Sequence, residues 1–148
     1  MRLHFASDHG AVALRRDLVE AARGDGHEIA SELGPDDPSR SVDYPEIAQQ
    51  LCERVLADAG SLGVLCCGTG QGVAMAANRI AGIRAAVLSD AFSAEMARAH
   101  NDANVLCMGG RVIGLGLGRT LLRTFLATPF EGGRHARRVA LLEQLSRR

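Results

Sequence analysis

The chain contains no lysine; all 17 of its basic residues are arginine. That absence excludes a lysine Schiff base, covalent pyridoxal phosphate and the lysine of a Walker-type phosphate loop. Any phosphate clamp must be built from arginine, histidine and backbone amides. Tryptophan is absent too, and aromatic residues make up only 3% of the chain. With few rings to stack bases and a formal net charge of zero, nucleic-acid binding is not expected. No apolar run reaches the roughly 18 residues of a membrane span. The first residues read as a strand and not as a signal peptide, so a cytoplasmic protein without membrane contact is expected. The four cysteines form no Cys-x-x-Cys pair, which suits a reducing compartment. No histidine spacing resembles a structural zinc site, so neither a metal nor a cofactor is expected.

What is present points to one α/β domain over residues 1–148, of which 47% are hydrophobic. Charge is unevenly spread. Residues 1–58 hold 12 of the 17 acids, whereas residues 111–148 hold eight arginines against Glu131 and Glu143. A basic C-terminal end suits a small anionic ligand.

The stretch 62–78 organises the rest. An apolar run over 62–67 reads as a buried strand, then Gly68, Gly70 and Gly72 fall within five positions, then small apolar residues suit a helix. Strand, glycine turn and helix together aim backbone N–H groups at an anion. Cys67 ends the strand and Thr69 follows two residues on, a base or nucleophile beside an oxyanion cradle. A helix N-terminus also favours a thiolate. Cys66, one residue earlier, alternates to the other face and reads as core.

Further strands are predicted over 3–6, 27–33, 83–88 and 105–108. Helices are predicted over 11–23, 46–59, 73–81, 93–100, with Ser93 as its cap, 115–127 and 134–148. Five strand–helix alternations imply a three-layer, Rossmann-like, five-stranded parallel sheet with helices on both faces. Ligands in such folds bind beyond the carboxyl ends of the strands. Those ends carry Asp8-His9, Cys67-Gly68-Thr69, Ser89-Asp90 and Gly109-Gly110-Arg111, and His100 is expected to join them.

Each feature has a plainer reading. The glycines at 68, 70 and 72 are out of register with the dinucleotide fingerprint, which counts against a nucleotide-binding oxidoreductase. Cys67 alone reads equally as a small buried hydrophobe. His100-Asn101-Asp102 suits a helix C-cap as well as catalysis, and Asp8 suits an N-cap. Arg134, Arg137 and Arg138 with His135 suit a solvated helix start. Basic residues there oppose the helix dipole, so an anion would relieve a cost.

In order along the chain come Ser7-Asp8-His9, Asp43-Tyr44-Pro45 and Cys67-Gly68-Thr69-Gly70-x-Gly72. Ala76-Ala77-Asn78-x-x-x-Gly82-Ile83-Arg84-Ala85, His100-Asn101-Asp102-x-Asn104-Val105-Leu106, Gly110-Arg111-Val112-Ile113-Gly114 and Phe130-Glu131-Gly132-Gly133-Arg134-His135-x-x-Arg138-Val139 follow. This set resembles the type B ribose-5-phosphate isomerase family, which also includes allose-6-phosphate and galactose-6-phosphate isomerases. The resemblance implies a metal-free aldose–ketose isomerase that interconverts ribose 5-phosphate and ribulose 5-phosphate through an enediolate. It implies Cys67 as the base, the amides of Gly68, Gly70, Gln71 and Gly72 around the enediolate, and Thr69 as a proton shuttle. His100 would open the furanose ring, and Asp8 and Asn101 would contact sugar oxygens. His9, Arg111, Arg134 and Arg138 would clamp the phosphate. A homodimer or homotetramer with shared sites is implied, its C-terminal helix over about 134–148 packing on a partner. Some members use a glutamate as base six residues after the cysteine; here Val73 stands there and cannot take a proton. Gly10-Ala11 reverses a common pair, and Gln71 replaces a common apolar residue. A six-carbon sugar phosphate as substrate, or a non-catalytic binding module, are the alternatives.

Overall fold

The computed structural model describes residues 1–145. Its strands are β1 (Arg2–Ser7), β2 (Glu28–Leu33), β3 (Leu62–Cys67), β4 (Ala85–Val87) and β5 (Val105–Gly109). Its helices are α1 (Val12–Gly24), α2 (Tyr44–Ala57), α3 (Gln71–Ala77), α4 (Ala91–Ala99), α5 (Leu115–Ala127) and α6 (Arg134–Leu145). A 3-10 turn, His9–Ala11, leads into α1. All four strand pairings are parallel and the order is β2-β1-β3-β5-β4, as the alternation implied.

Strand alternation sorts the core into two layers. Leu3, Phe5, Val64, Cys66, Leu106 and Met108 face α1, α4 and α5. Ala6, Leu65, Cys67, Val105 and Cys107 face α2 and α3. Each fully buried Leu or Phe side chain contributes about 1.5–3 kcal/mol. β3 is buried along its whole length, as a central strand covered on both faces must be.

The helix ends follow local chemistry. Pro45 sits in the first turn of α2, where its fixed φ suits the helix and its missing N–H costs nothing. Helix α4 starts two residues before the predicted position because Asp90, not Ser93, is the cap; its side chain accepts from the Ser93 N–H at 2.7 Å. β4 is shorter than the predicted 83–88. Asn104 Oδ1 takes the Arg84 N–H at 2.8 Å, and the Asn78 side chain holds both backbone groups of Ala85 at 2.9 Å. The predicted end of the last helix, residues 146–148, lies outside the described residues.

One consequence of this winding decides where the polar residues fall. Every helix after a strand runs back across the sheet. The loops after β1, β3 and β5 therefore share the carboxyl edge, while the residues just before a strand share the amino edge. His100 caps the C-terminus of α4, so it sits at the amino edge. The expectation that it joins the strand ends is corrected.

Candidate active site

At the carboxyl edge, three loops meet backbone to backbone. A Cβ on Gly10 would lie 3.0 Å from Gly68 N, and one on Gly110 would lie 2.9 Å from the Gly10 carbonyl oxygen. A Cβ on Gly109 would reach within 2.7 Å of the Thr69 carbonyl. Gly110 N donates to the Cys67 carbonyl at 2.9 Å and Arg111 N to that of Gly68 at 3.0 Å. These contacts leave no room for side chains, which is why glycine recurs there.

The Cys67 sulfur sits inside this knot. Cys67 is 5% exposed and lines the second core layer. Its Sγ accepts the Gly70 N–H at 3.1 Å. Gly70 reaches that position with φ of 80°, in the left-handed region open to glycine. The Gly70 amide, which the resemblance assigns to the enediolate, thus donates to the sulfur. The other three cysteines are fully buried. Burial pushes the Cys52 and Cys66 thiols up to about 12, and the Cys107 thiol well above its ordinary value. Those three are uncharged fillers at neutral pH.

Polar groups surround the loop. Thr69 is exposed, and its Oγ1 accepts the Gln71 N–H at 3.3 Å. Gln71 is exposed and opens α3 rather than lying in the loop. The Arg111 guanidinium lies over Gly68, 3.1 Å from where a Cβ would stand. Asp8 is buried and caps the 3-10 turn, accepting the Gly10 N–H at 2.8 Å. His9 Nδ1 accepts the Val42 N–H at 3.3 Å. The Tyr44 ring packs on Gly72, leaving 2.9 Å to an added Cβ.

The amino edge holds a second cluster. The His100 and His135 rings stack 4.1 Å apart and 5° from parallel. Glu131 Oε2 lies 3.7 Å from His100 Nε2 and 3.5 Å from His135 Nε2. Glu131 N donates to the Ala99 carbonyl at 3.0 Å, which fastens the loop before α6 against the end of α4. Arg134 Nε donates to His135 Nε2 at 3.4 Å. Burial lowers the His135 pKa, and nearby His100, Arg134 and Arg138 lower it further while Glu131 opposes them. Asn101 is exposed beside this cluster, on the rim of a cavity of about 490 Å³ bounded by Arg84, Ala86 and Leu142. That cavity does not reach Cys67.

His100, Glu131 and His135 offer ligand atoms within 4.8 Å of one another. Their geometry is poor for a metal. Parallel stacked rings send their lone pairs side by side instead of onto one ion, and an arginine N–H already occupies His135 Nε2. The flanking arginines favour an anion.

Asp8, His9, Cys67, Gly68, Thr69, Gly70, Gln71, Gly72 and Arg111 are therefore together. His100, Asn101, Arg134 and Arg138 stand apart from them. Tyr44, Glu131 and His135 were not chosen from sequence as site residues. Glu131 lies in the loop before α6, so no helical period links it to His135.

The family model described as Ribose/Galactose Isomerase matches residues 3–142. A putative sugar phosphate isomerase of Bacillus subtilis is 44% identical over 140 residues, covering 94% of this chain and 93% of its own. Ribose-5-phosphate isomerase B of Escherichia coli is 38% identical over 147 residues, covering 99% of this chain and 97% of its own. The solved structure of ribose-5-phosphate isomerase B from Clostridium thermocellum superposes with a TM-score of 0.95 at 39% identity, covering 99% of this chain and 98% of that one. An all-parallel sheet of this order and a match over nearly every residue lead to one assignment: the chain belongs to the ribose/galactose isomerase family and is an isomerase.

Proposed function

We propose that this isomerase interconverts ribose 5-phosphate and ribulose 5-phosphate through an enediolate, with Cys67 as the base. The observation that carries the proposal is the Cys67 sulfur under the Gly70 N–H, at the one cysteine with any exposure. The thiolate takes the proton from C2 of the open-chain aldose. The C–H electron pair becomes the C1–C2 double bond, and the carbonyl pair moves onto O1. Amides of the 68–72 loop other than that of Gly70 hold the developing oxyanion, worth about 10²–10³ in rate per donor. Thr69 carries the O2 proton to O1, and Cys67 returns its proton to C1. His100 opens the furanose ring by proton transfer, with Asn101 and Asp8 on the sugar oxygens. His9, Arg111, Arg134 and Arg138 take the phosphate, whose binding energy positions the reacting carbons.

The two clusters lie at opposite edges of one sheet, so one chain does not bring Cys67 to His100. We infer a homodimer, or a homotetramer of two such dimers, in which the carboxyl edge of one copy faces the amino edge of its neighbour. The exposed Leu141, Leu142 and Leu145 of α6 would be covered in that assembly. Four free thiols suit a cytoplasmic setting, and no helix among the described residues is long and apolar enough to cross a membrane.

The test is turnover of purified protein on ribose 5-phosphate and on allose 6-phosphate. The five-carbon substrate should be faster, and Cys67→Ala should lose about 10²–10⁴-fold while remaining folded. Full turnover by a folded Cys67→Ala variant would remove the base assignment.

A further inference from the structure

We propose that residues 34–43 are a positioning strap whose Val42 backbone N–H fixes His9 as an Nε2–H donor toward the phosphate. What His9 contacts rests on the isomerase reading above; how it is held does not.

The strap is tied at both ends. At its start stands Arg15, the largest fully buried side chain and a residue with no apparent role in sequence. Arg15 donates to the carbonyls of Leu33 at 3.2 Å and Pro35 at 3.0 Å, to Ser7 Oγ at 2.9 Å and to Glu32 Oε1 at 3.0 Å. A buried charge is kept only where its donors are satisfied, so Arg15 defines the path of the chain leaving β2. Gly34 follows with φ of 114°, and a Cβ there would stand 2.1 Å from the Ser7 carbonyl oxygen. In mid-strap, Asp37 Oδ1 accepts the Ser39 N–H at 2.8 Å and the Asp37 carbonyl accepts the Arg40 N–H at 3.0 Å. At the far end Val42 packs on the second core layer, and the Tyr44 ring closes on Gly72 of the cysteine loop.

Between these ties, Val42 N donates to His9 Nδ1. A backbone N–H can only donate, so Nδ1 must present its lone pair. In a neutral imidazole the proton then lies on Nε2. His9 becomes a donor with one assigned direction of use, suited to a phosphate oxygen. It borders a cleft of about 260 Å³ shared with Pro38 of the strap, Arg16 and Gly110. Val42 is a positioning residue, because it acts through His9.

Long-range proton–nitrogen spectra of the full chain, labelled at histidine and assigned with His9→Gln, read the tautomer directly. The Nε2–H form is expected; an Nδ1–H form or an even mixture overturns the proposal. Val42→Pro deletes the N–H and should raise KM for ribose 5-phosphate about tenfold with kcat within about twofold. Val42→Ala keeps the N–H and should restore KM. Should Val42→Pro fail to fold, Asp37→Ala decides, since it loosens an exposed turn outside the core. It should raise KM by about two- to threefold and mix the tautomers, and an unchanged KM with an unmixed spectrum overturns the strap. An inactive protein with His9 in the Nε2–H form sinks the isomerase reading alone. An active one with Nδ1–H sinks the strap alone.

Discussion

At the carboxyl edge, Gly10, Gly68, Gly109 and Gly110 bring three backbones into contact around one sulfur. At the amino edge, His100 and His135 meet as whole rings beside Glu131 and Arg134. The first cluster is made of peptide groups set by the sheet and has no slack. The second is made of side chains from a helix end, a loop and the start of α6, held by ring stacking and ion pairing. On the proposed mechanism the rigid edge is where a proton leaves carbon, and there a misplacement of about 1 Å costs on the order of 10²-fold in rate.

The sharpest way to break the contrast is to crowd the rigid edge alone. Gly109→Ala would drive a methyl into the Thr69 backbone. It should destabilise by about 1–3 kcal/mol, read from urea midpoints, and cut kcat more than tenfold by displacing the cysteine loop. A fully active Gly109→Ala protein would show that the rigid edge has slack after all.

The softer edge is probed by pH. The folded-state pKa of His135 is lowered, chiefly by burial. The unfolded chain therefore binds this proton first, and stability should fall as pH drops through about 6.5 until the lowered folded value is passed. His135→Gln should flatten that part of the melting-temperature profile. A profile identical to the parent's would mean His135 is not the group responsible. The smallest effect is expected away from both edges. Arg123 and Asp25 form an exposed pair at 2.6 Å. Arg123→Ala should barely move the urea midpoint, lose even that effect in high salt and leave kcat unchanged; a large midpoint shift would mean the pair supports more than the surface.

Much of this was legible in the sequence because its signals were local. The apolar run at 62–67, the glycines after it and the alternation of strands with helices locate the sheet and the cysteine loop without any long-range information. The face of Cys66 against that of Cys67 follows from strand period alone. The edge that His100 occupies is not legible locally, because its neighbours say nothing of which way α4 runs; only the return of each helix across the sheet does. Arg15 carries no local signal, since its partners are Ser7 in β1, Glu32 and Leu33 in β2 and Pro35 in the loop beyond, which only the fold brings together. His4 is similar. It is buried between Ser31 at 2.8 Å and Asp58 at 3.1 Å, partners that only the fold supplies. Tyr44 stands in the Asp43-Tyr44-Pro45 motif, but its contact with Gly72 depends on a long-range approach that no local signal reveals.

On the proposed assembly, one active site draws its halves from two copies of the chain. Cys67→Ala and His100→Ala proteins, each nearly inactive alone, can be unfolded together and refolded as a mixture. If the halves meet across copies, mixed dimers carry one intact site and one doubly damaged site, and activity returns to a sizeable fraction of the parent's. A mixture no more active than its two components would contradict the shared site and place the whole reaction within a single chain.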